Sequence, residues 1–281
     1  SLSPLAAACL NLSADHLDWH GGMEAYAADK SRVYTHAQRA AVYNLADPAT
    51  LRMVEQADVV EGCRAIGFGL GAPGLGQVGL VEDVMVDRAW HPRRHHEAAE
   101  LATLADLAHL APGGEVDRLP AHIAADALAA ASLALAHPQV QADLGAVARG
   151  LRAFTPGAHR LVTVAEGAGV TWVDDSKATN AHSTQAALSS VRPGSAVWIV
   201  GGDTKGADLH ELVARVRPYL RGAVVIGADP TPVLQALEDE APDLPRRVVP
   251  AASAREVIEE AVRQASAMAQ EGDTVLLAPA A

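Results

Sequence analysis

Residues 196–206 read Ala196-Val-Trp-Ile-Val200-Gly-Gly-Asp-Thr-Lys-Gly206: five apolar residues, then a polar, glycine-rich turn. An apolar run this short, bounded by turn residues, is a strand buried on both faces. Similar runs recur at 170–173, 223–226, 247–249 and 274–277, and helical patterns separate them at 181–190, 209–220, 230–240 and 254–270. The last helix opens with Ser253-Ala-Arg-Glu256, the reciprocal cap in which each side chain satisfies the other's free amide. Strands alternating with helices at this spacing predict an α/β fold, a largely parallel sheet with helices on both faces. Ligands of such sheets gather beyond the carboxyl ends of the strands. That places the chemistry in the loops 174–180, 201–208, 227–229 and 278–281.

The first half is less regular. Helices are predicted over 23–37, 95–110, 123–136 and 146–154, and the glycine-rich stretch 67–79 is read as looped or weakly stranded. Thr155-Pro156-Gly157-Ala158 breaks the pattern. A domain boundary there gives 1–157 and 158–281. Gly69-Leu-Gly71-Ala-Pro-Gly74 matches a dinucleotide fingerprint only in its glycines, because Pro73 blocks the helix that would receive a pyrophosphate. His91, His95 and His96, crowded with Pro92, Arg93 and Arg94, read as a solvated connector rather than a metal site.

Of 281 residues, 49% are hydrophobic and 20% charged, the balance of a globular protein with room for two cores. A formal charge of −12 argues against nucleic acid or an anionic membrane as partner. Anionic small molecules remain open, since they need only local cations. Two cysteines make no disulfide framework and fit a reducing, cytoplasmic setting. The longest apolar run, of about 13 residues, is too short for a bilayer. The chain opens in mid-pattern and stops just after a strand-like run, so we expect a piece of a longer protein.

Of 22 Lys+Arg only Lys30, Lys177 and Lys205 are lysine. Arginine carries the ordinary surface charge, so these three are candidates for work that needs a compact amine. Lys30 shares a helical stripe with Met23, Tyr26, Ala27, Tyr34 and Ala37. If buried, it favours its neutral amine, which can add carbon dioxide to give an anionic carbamate suited to Mg²⁺. If it sits at the stripe's edge, it snorkels to solvent. His16, in Asp15-His16-Leu17-Asp18, is a weaker candidate in a polar loop. Asp174-Asp-Ser-Lys-Ala-Thr-Asn180 leaves a strand and enters a helix, forming an anion cradle. There Asp175 can accept from a ribose and Lys177 can face a phosphate. Thr179 and Asn180 either bind a carboxylate or cap the helix. Lys205 either grips a carboxylate or belongs to a plain turn, and Arg160 either reaches a nucleotide or lies on the surface.

Together, 12–34 (LSADHLDWHGGMEAYAADKSRVY), 154–160 (FTPGAHR), 172–180 (WVDDSKATN), 201–208 (GGDTKGAD) and 272–280 (GDTVLLAPA) resemble the Mur ligase family over nearly the whole chain. The DSKATN run points to the branch that adds D-glutamate. The resemblance implies the latter part of a central ATP-binding domain followed by a Rossmann-like, amino-acid-binding domain truncated at its end. It also implies an ADP-forming ligase that joins D-glutamate to UDP-N-acetylmuramoyl-L-alanine through an acyl phosphate, with ATP and Mg²⁺ as cofactors, in peptidoglycan precursor synthesis. On that resemblance Lys30, as a carbamate, and His16 match the metal site, and Arg160 and Asp175 match nucleotide contacts. Lys177, Thr179 and Lys205 match positions serving D-glutamate and the reacting phosphate.

The family's G-T-N-G-K-[ST] phosphate loop is absent from these residues. Its His-Asn-x-x-Asn adenine contact reads His122-Ile-Ala-Ala-Asp126, which puts Asp126 in place of an amide. The 281 residues alone are therefore expected to be inactive. The rival readings are a sister ligase with another acceptor, such as a folylpolyglutamate synthase, and a non-catalytic nucleotide-binding module.

Overall fold

The computed structural model describes residues 2–14, 17–202, 208–250 and 252–280. The chain divides into two compact units, Ser1–Phe154 and Thr155–Ala281.

The first unit runs β1 (Ala6–Cys9), α1 (Leu17–His20), α2 (Met23–Ser31), β2 (Ala40–Asn44), α3 (Pro48–Glu55), β3 (Arg64–Phe68), β4 (Gln77–Val81), β5 (Val84–Asp87), β6 (Ala99–Thr103), α4 (Ala121–Ala134), α5 (Pro138–Ala142) and α6 (Gly145–Ala153). Its six strands lie in the order β1-β2-β3-β4-β5-β6. The first four are parallel, and β5 pairs antiparallel with both neighbours. Alternation sorts the side chains. Ala40 and Val42 face a core with Ile66, Phe68 and the α4 residues Leu128 and Ala131, whereas Ala41 faces Ala7, Cys9, Tyr34 and Met53. Gly79 permits the 69–74 loop to close on the sheet, since a Cβ there would stand 2.3 Å from the Gly71 carbonyl oxygen.

Two expectations for this unit need correction. The helix expected over 23–37 ends at Ser31 and tightens into a 3-10 turn over Arg32–Tyr34. The helix expected over 95–110 is instead strand β6 followed by a 3-10 turn at Leu104–Leu110. Pairing with β5 overrides the helical propensity of Ala-Glu-Leu-Ala. The stretch 67–79 is looped with a strand at each end, as read, and forms the β3–β4 connection.

The second unit runs β7 (Val162–Gly167), β8 (Val170–Asp174), α7 (Ala181–Leu188), β9 (Ala196–Gly201), α8 (His210–Val216), β10 (Leu220–Ile226), α9 (Thr231–Glu240), β11 (Arg246–Val248), α10 (Ala254–Met268) and β12 (Thr274–Leu277). The strand order is β11-β10-β9-β12-β8-β7, parallel throughout except for β7. All of β9 is buried. Ala196, Trp198 and Val200 pack with residues of α7, α8 and α9, while Val197 and Ile199 pack with Ala261 and Ala265 of α10. Burial of each large apolar side chain here contributes roughly 1.5–3 kcal/mol. Both halves of the Ser253–Glu256 cap form at the start of α10. The hairpin partner β7 escaped the sequence reading, because its outward residues are polar or exposed. Among the described residues no helix is long and apolar enough to cross a membrane.

Candidate functional site

In the second unit the loops beyond β8 and β12 are laced to each other and to the end of β9 by the backbone. The Asp175 amide donates to Leu277 O (2.9 Å), Ala280 N to Ala178 O (2.9 Å), Gly201 N to Pro279 O (3.2 Å) and Lys177 N to His159 O (3.2 Å). Trp198, inside the core, sends its indole N–H to Ala278 O at 2.8 Å. Gly201 is required at this junction. Its φ is 143°, and a Cβ would stand 1.8 Å from Ile226 O.

On this frame the segment 174–180 presents its side chains. Asp175 is buried and accepts from the Leu161 amide at 3.2 Å. Burial pushes its carboxyl up, reinforced by neighbouring Asp174 and opposed by the Leu161 amide and Arg160. Burial acts the same way on Asp174, but hydrogen bonds from His159 and Ser176 outweigh it and hold that carboxyl below the ordinary range. Two adjacent carboxyls thus differ in acidity. Lys177 and Thr179 are exposed, and so is Arg160. Asn180 caps α7, its Oδ1 accepting from Ser183 N at 2.9 Å.

His159 was missed by the sequence reading. Its Nδ1 lies 2.7 Å from Asp174 Oδ2. Both His159 (φ 66°) and Leu161 (φ 49°) adopt the left-handed region, which turns Arg160 between them. The signal was its place directly before Arg160 after a Pro-Gly break. Backbone bonds bring Asp175, Lys177 and Thr179, and the turn that carries Arg160, to the ends of β8 and β12. Lys205 and His16 lie outside the described residues.

In the first unit, Lys30 is half-buried, which fits the stripe's edge, and no residue of α2 is buried. Its Nζ donates to Asn11 O at 2.9 Å and stands 5.1 Å from the centre of the Tyr26 ring. His20 leans on the same ring, with centroids 4.9 Å apart, and meets Asp29 at 2.8 Å. The segment 10–12 that follows β1 is anchored in turn. Leu12 N donates to Asp47 Oδ2 (2.7 Å), and Asn44 Nδ2 donates to Leu10 O (2.9 Å). This side-chain cage holds the amine over a backbone carbonyl. Asp126 lies on α4 with its surface open, yet the protein crowding its carboxyl raises it. Among the described residues no three His, Cys, Asp or Glu side chains are grouped to hold a metal. His91 meets Glu97 at 2.8 Å within a turn whose amides cap onto Asp87.

A two-unit α/β chain with its polar loops at strand carboxyl ends has clear relatives. The Mur ligase middle domain matches residues 1–98, and the Mur ligase glutamate ligase domain matches residues 159–281. The chain belongs to the Mur ligase family.

Within that family it is 51% identical over 283 residues to the UDP-N-acetylmuramoylalanine--D-glutamate ligase of Leifsonia xyli subsp. xyli (strain CTCB07), covering 100% of this chain and 52% of that protein. The protein of the same name from Streptomyces coelicolor is 51% identical over 280 residues, covering 100% of this chain and 56% of its own length. The chain therefore spans about half the length of the curated relatives it matches. Among solved structures, MurF from Acinetobacter baumannii superposes with a TM-score of 0.65 at 18% identity, over 99% of this chain and 57% of that one, which is a likeness of fold.

Proposed function

We propose that these residues form the latter part of the central domain and the amino-acid-binding domain of a cytoplasmic ligase. That ligase joins D-glutamate to UDP-N-acetylmuramoyl-L-alanine in peptidoglycan precursor synthesis. The observation that carries the reading is the 174–180 segment, with its lysine and paired aspartates held by backbone at the ends of β8 and β12. Support comes from relatives of that name at 51% identity.

In this reading ATP, when bound, supplies a phosphoryl group that makes the substrate carboxylate a viable electrophile. Arg160 and Asp175 bind the nucleotide, Asp175 accepting from a ribose hydroxyl, and Asp126 takes the position of an adenine-contacting amide in the family's stretch. Lys177 offsets the charge gathered on the reacting phosphate. Thr179, Lys177 and Lys205 orient D-glutamate so that its amine faces the acyl carbon. Lys30 and His16 would hold Mg²⁺. The Asn11 carbonyl beside Nζ offers oxygen, and a carbamate on Nζ would add the anionic oxygen such a cation requires.

The test is ADP release by the complete protein that carries this chain. Release should require both D-glutamate and UDP-N-acetylmuramoyl-L-alanine, and Lys177→Ala should lower kcat/KM by roughly 10²–10³-fold. Release with a different amino acid in place of D-glutamate would assign a sister ligase, and nucleotide binding without any release would assign a binding module. The 281 residues alone should release no ADP, because a phosphate-loop lysine and its neighbouring hydroxyl have no substitute here.

A further inference from the structure

The amino ends of β2 and β3, opposite to the end at which sheets of this kind take their ligands, carry two arginines that the proposed reaction does not use. Arg39 immediately precedes β2 and Arg64 opens β3, and the Arg64 amide donates to Arg39 O at 3.0 Å. Both guanidiniums lie over one indole. Arg64 Cζ is 4.5 Å and Arg39 Cζ 5.5 Å from the centre of the half-buried Trp90 ring.

Elsewhere arginines find carboxylates, as Arg93 does with Glu97, Arg149 with Asp143 and Arg263 with Glu260. Neither Arg39 nor Arg64 has one among the described residues, and only Arg64 uses a guanidinium N–H, toward Ala89 O at 3.2 Å. Asp87, the acid next to this turn, is buried and spent on the amides of Ala89, Trp90 and His91. The indole Nε1 is also buried without an acceptor. Arg94, His95 and His96 extend the basic run that follows Trp90, whereas His91 and Arg93 are answered by Glu97.

Two like charges held on one ring with free N–H groups, in a chain of net charge −12, are poised for an anion. The ring contact restrains each guanidinium, so less freedom is lost when an anion docks. Each guanidinium is a fork that can take a bidentate pair, so the two together suit an anion with two charged lobes. We propose that Arg39, Arg64 and Trp90 of the first unit form a second anion-binding site, which takes a diphosphate-bearing small molecule and shares no residue with the 174–180 cradle. This site does not depend on the ligase reading.

The probe is inorganic pyrophosphate added to the ¹⁵N-labelled chain at constant ionic strength, followed by the indole N–H signals, with Trp90→Phe assigning its own. The Trp90 signal should move saturably while that of Trp198 stays fixed. Arg39→Gln and Arg64→Gln should each weaken binding about tenfold, the loss of one charge-assisted pair. Should a glutamine variant fail to fold, Arg64→Lys keeps the charge and removes the fork, and it should bind more weakly than the parent. No saturable shift, an equal response to citrate, or unchanged affinity in the arginine variants would overturn the assignment.

Discussion

The two units hold their candidate lysines in opposite ways. Lys177 is exposed on a loop whose position is fixed by main-chain bonds to β12 and to His159. Lys30 rides on a helix with no buried residue, and side chains position it: the Tyr26 ring, the His20–Asp29 pair, and Asn44 and Asp47 steadying the segment that offers the Asn11 carbonyl. A site built from backbone tolerates changes in its own side chains and breaks when the underlying strands move. A site built from side chains fails piece by piece.

Gly201→Ala attacks the first kind at its weakest point. A methyl group has no room against Ile226 O, so the second unit should lose roughly 3 kcal/mol or more, read as a shift in its denaturant midpoint. Tyr34→Phe probes the first unit. The Tyr34 hydroxyl accepts from Cys9 N and donates to Val42 O, bridging β1 and β2 in a buried setting, and burial lifts its ionisation far above the ordinary value. Its loss should cost about 2 kcal/mol and leave the second unit's melting unchanged. Asn180→Ala removes the α7 cap for about 1 kcal/mol, with faster amide exchange confined to the first turn of α7.

The smallest effect is electrostatic. His210 places Nδ1 2.5 Å from Asp208 and Nε2 3.0 Å from Asp239. Those hydrogen bonds, Asp208 first and then Asp239, raise its pKa despite some desolvation. The stabilisation is complete below about pH 6.5, the unfolded value, and is lost as pH rises through the raised folded value. A pH series of denaturant midpoints should show that loss in the parent and a flatter curve in His210→Gln.

The same division explains what could be read from the chain. In the second unit, buried β-branched runs such as 196–200 and 223–226 alternate with capped helices, and every expected strand and helix there appears within a few residues. In the first unit, strands such as Ala6–Cys9 and Ala40–Asn44 are rich in alanine, which has little strand preference, so only pairing reveals them. At the candidate site, Asp175 and Lys177 announced themselves by composition. His159 did not, because its importance lies in a left-handed turn and a contact to Asp174 fifteen residues away.

The borders of the second sheet have a practical consequence. On one side β11 spans only three residues and brings Arg246 and Arg247; on the other, β7 shifts register between Thr163 and Ala165. Short, cationic or kinked margins are poor templates for strand addition. At high concentration this unit is therefore guarded against recruiting its neighbours into fibrils, and straightening the β7 kink would remove that guard.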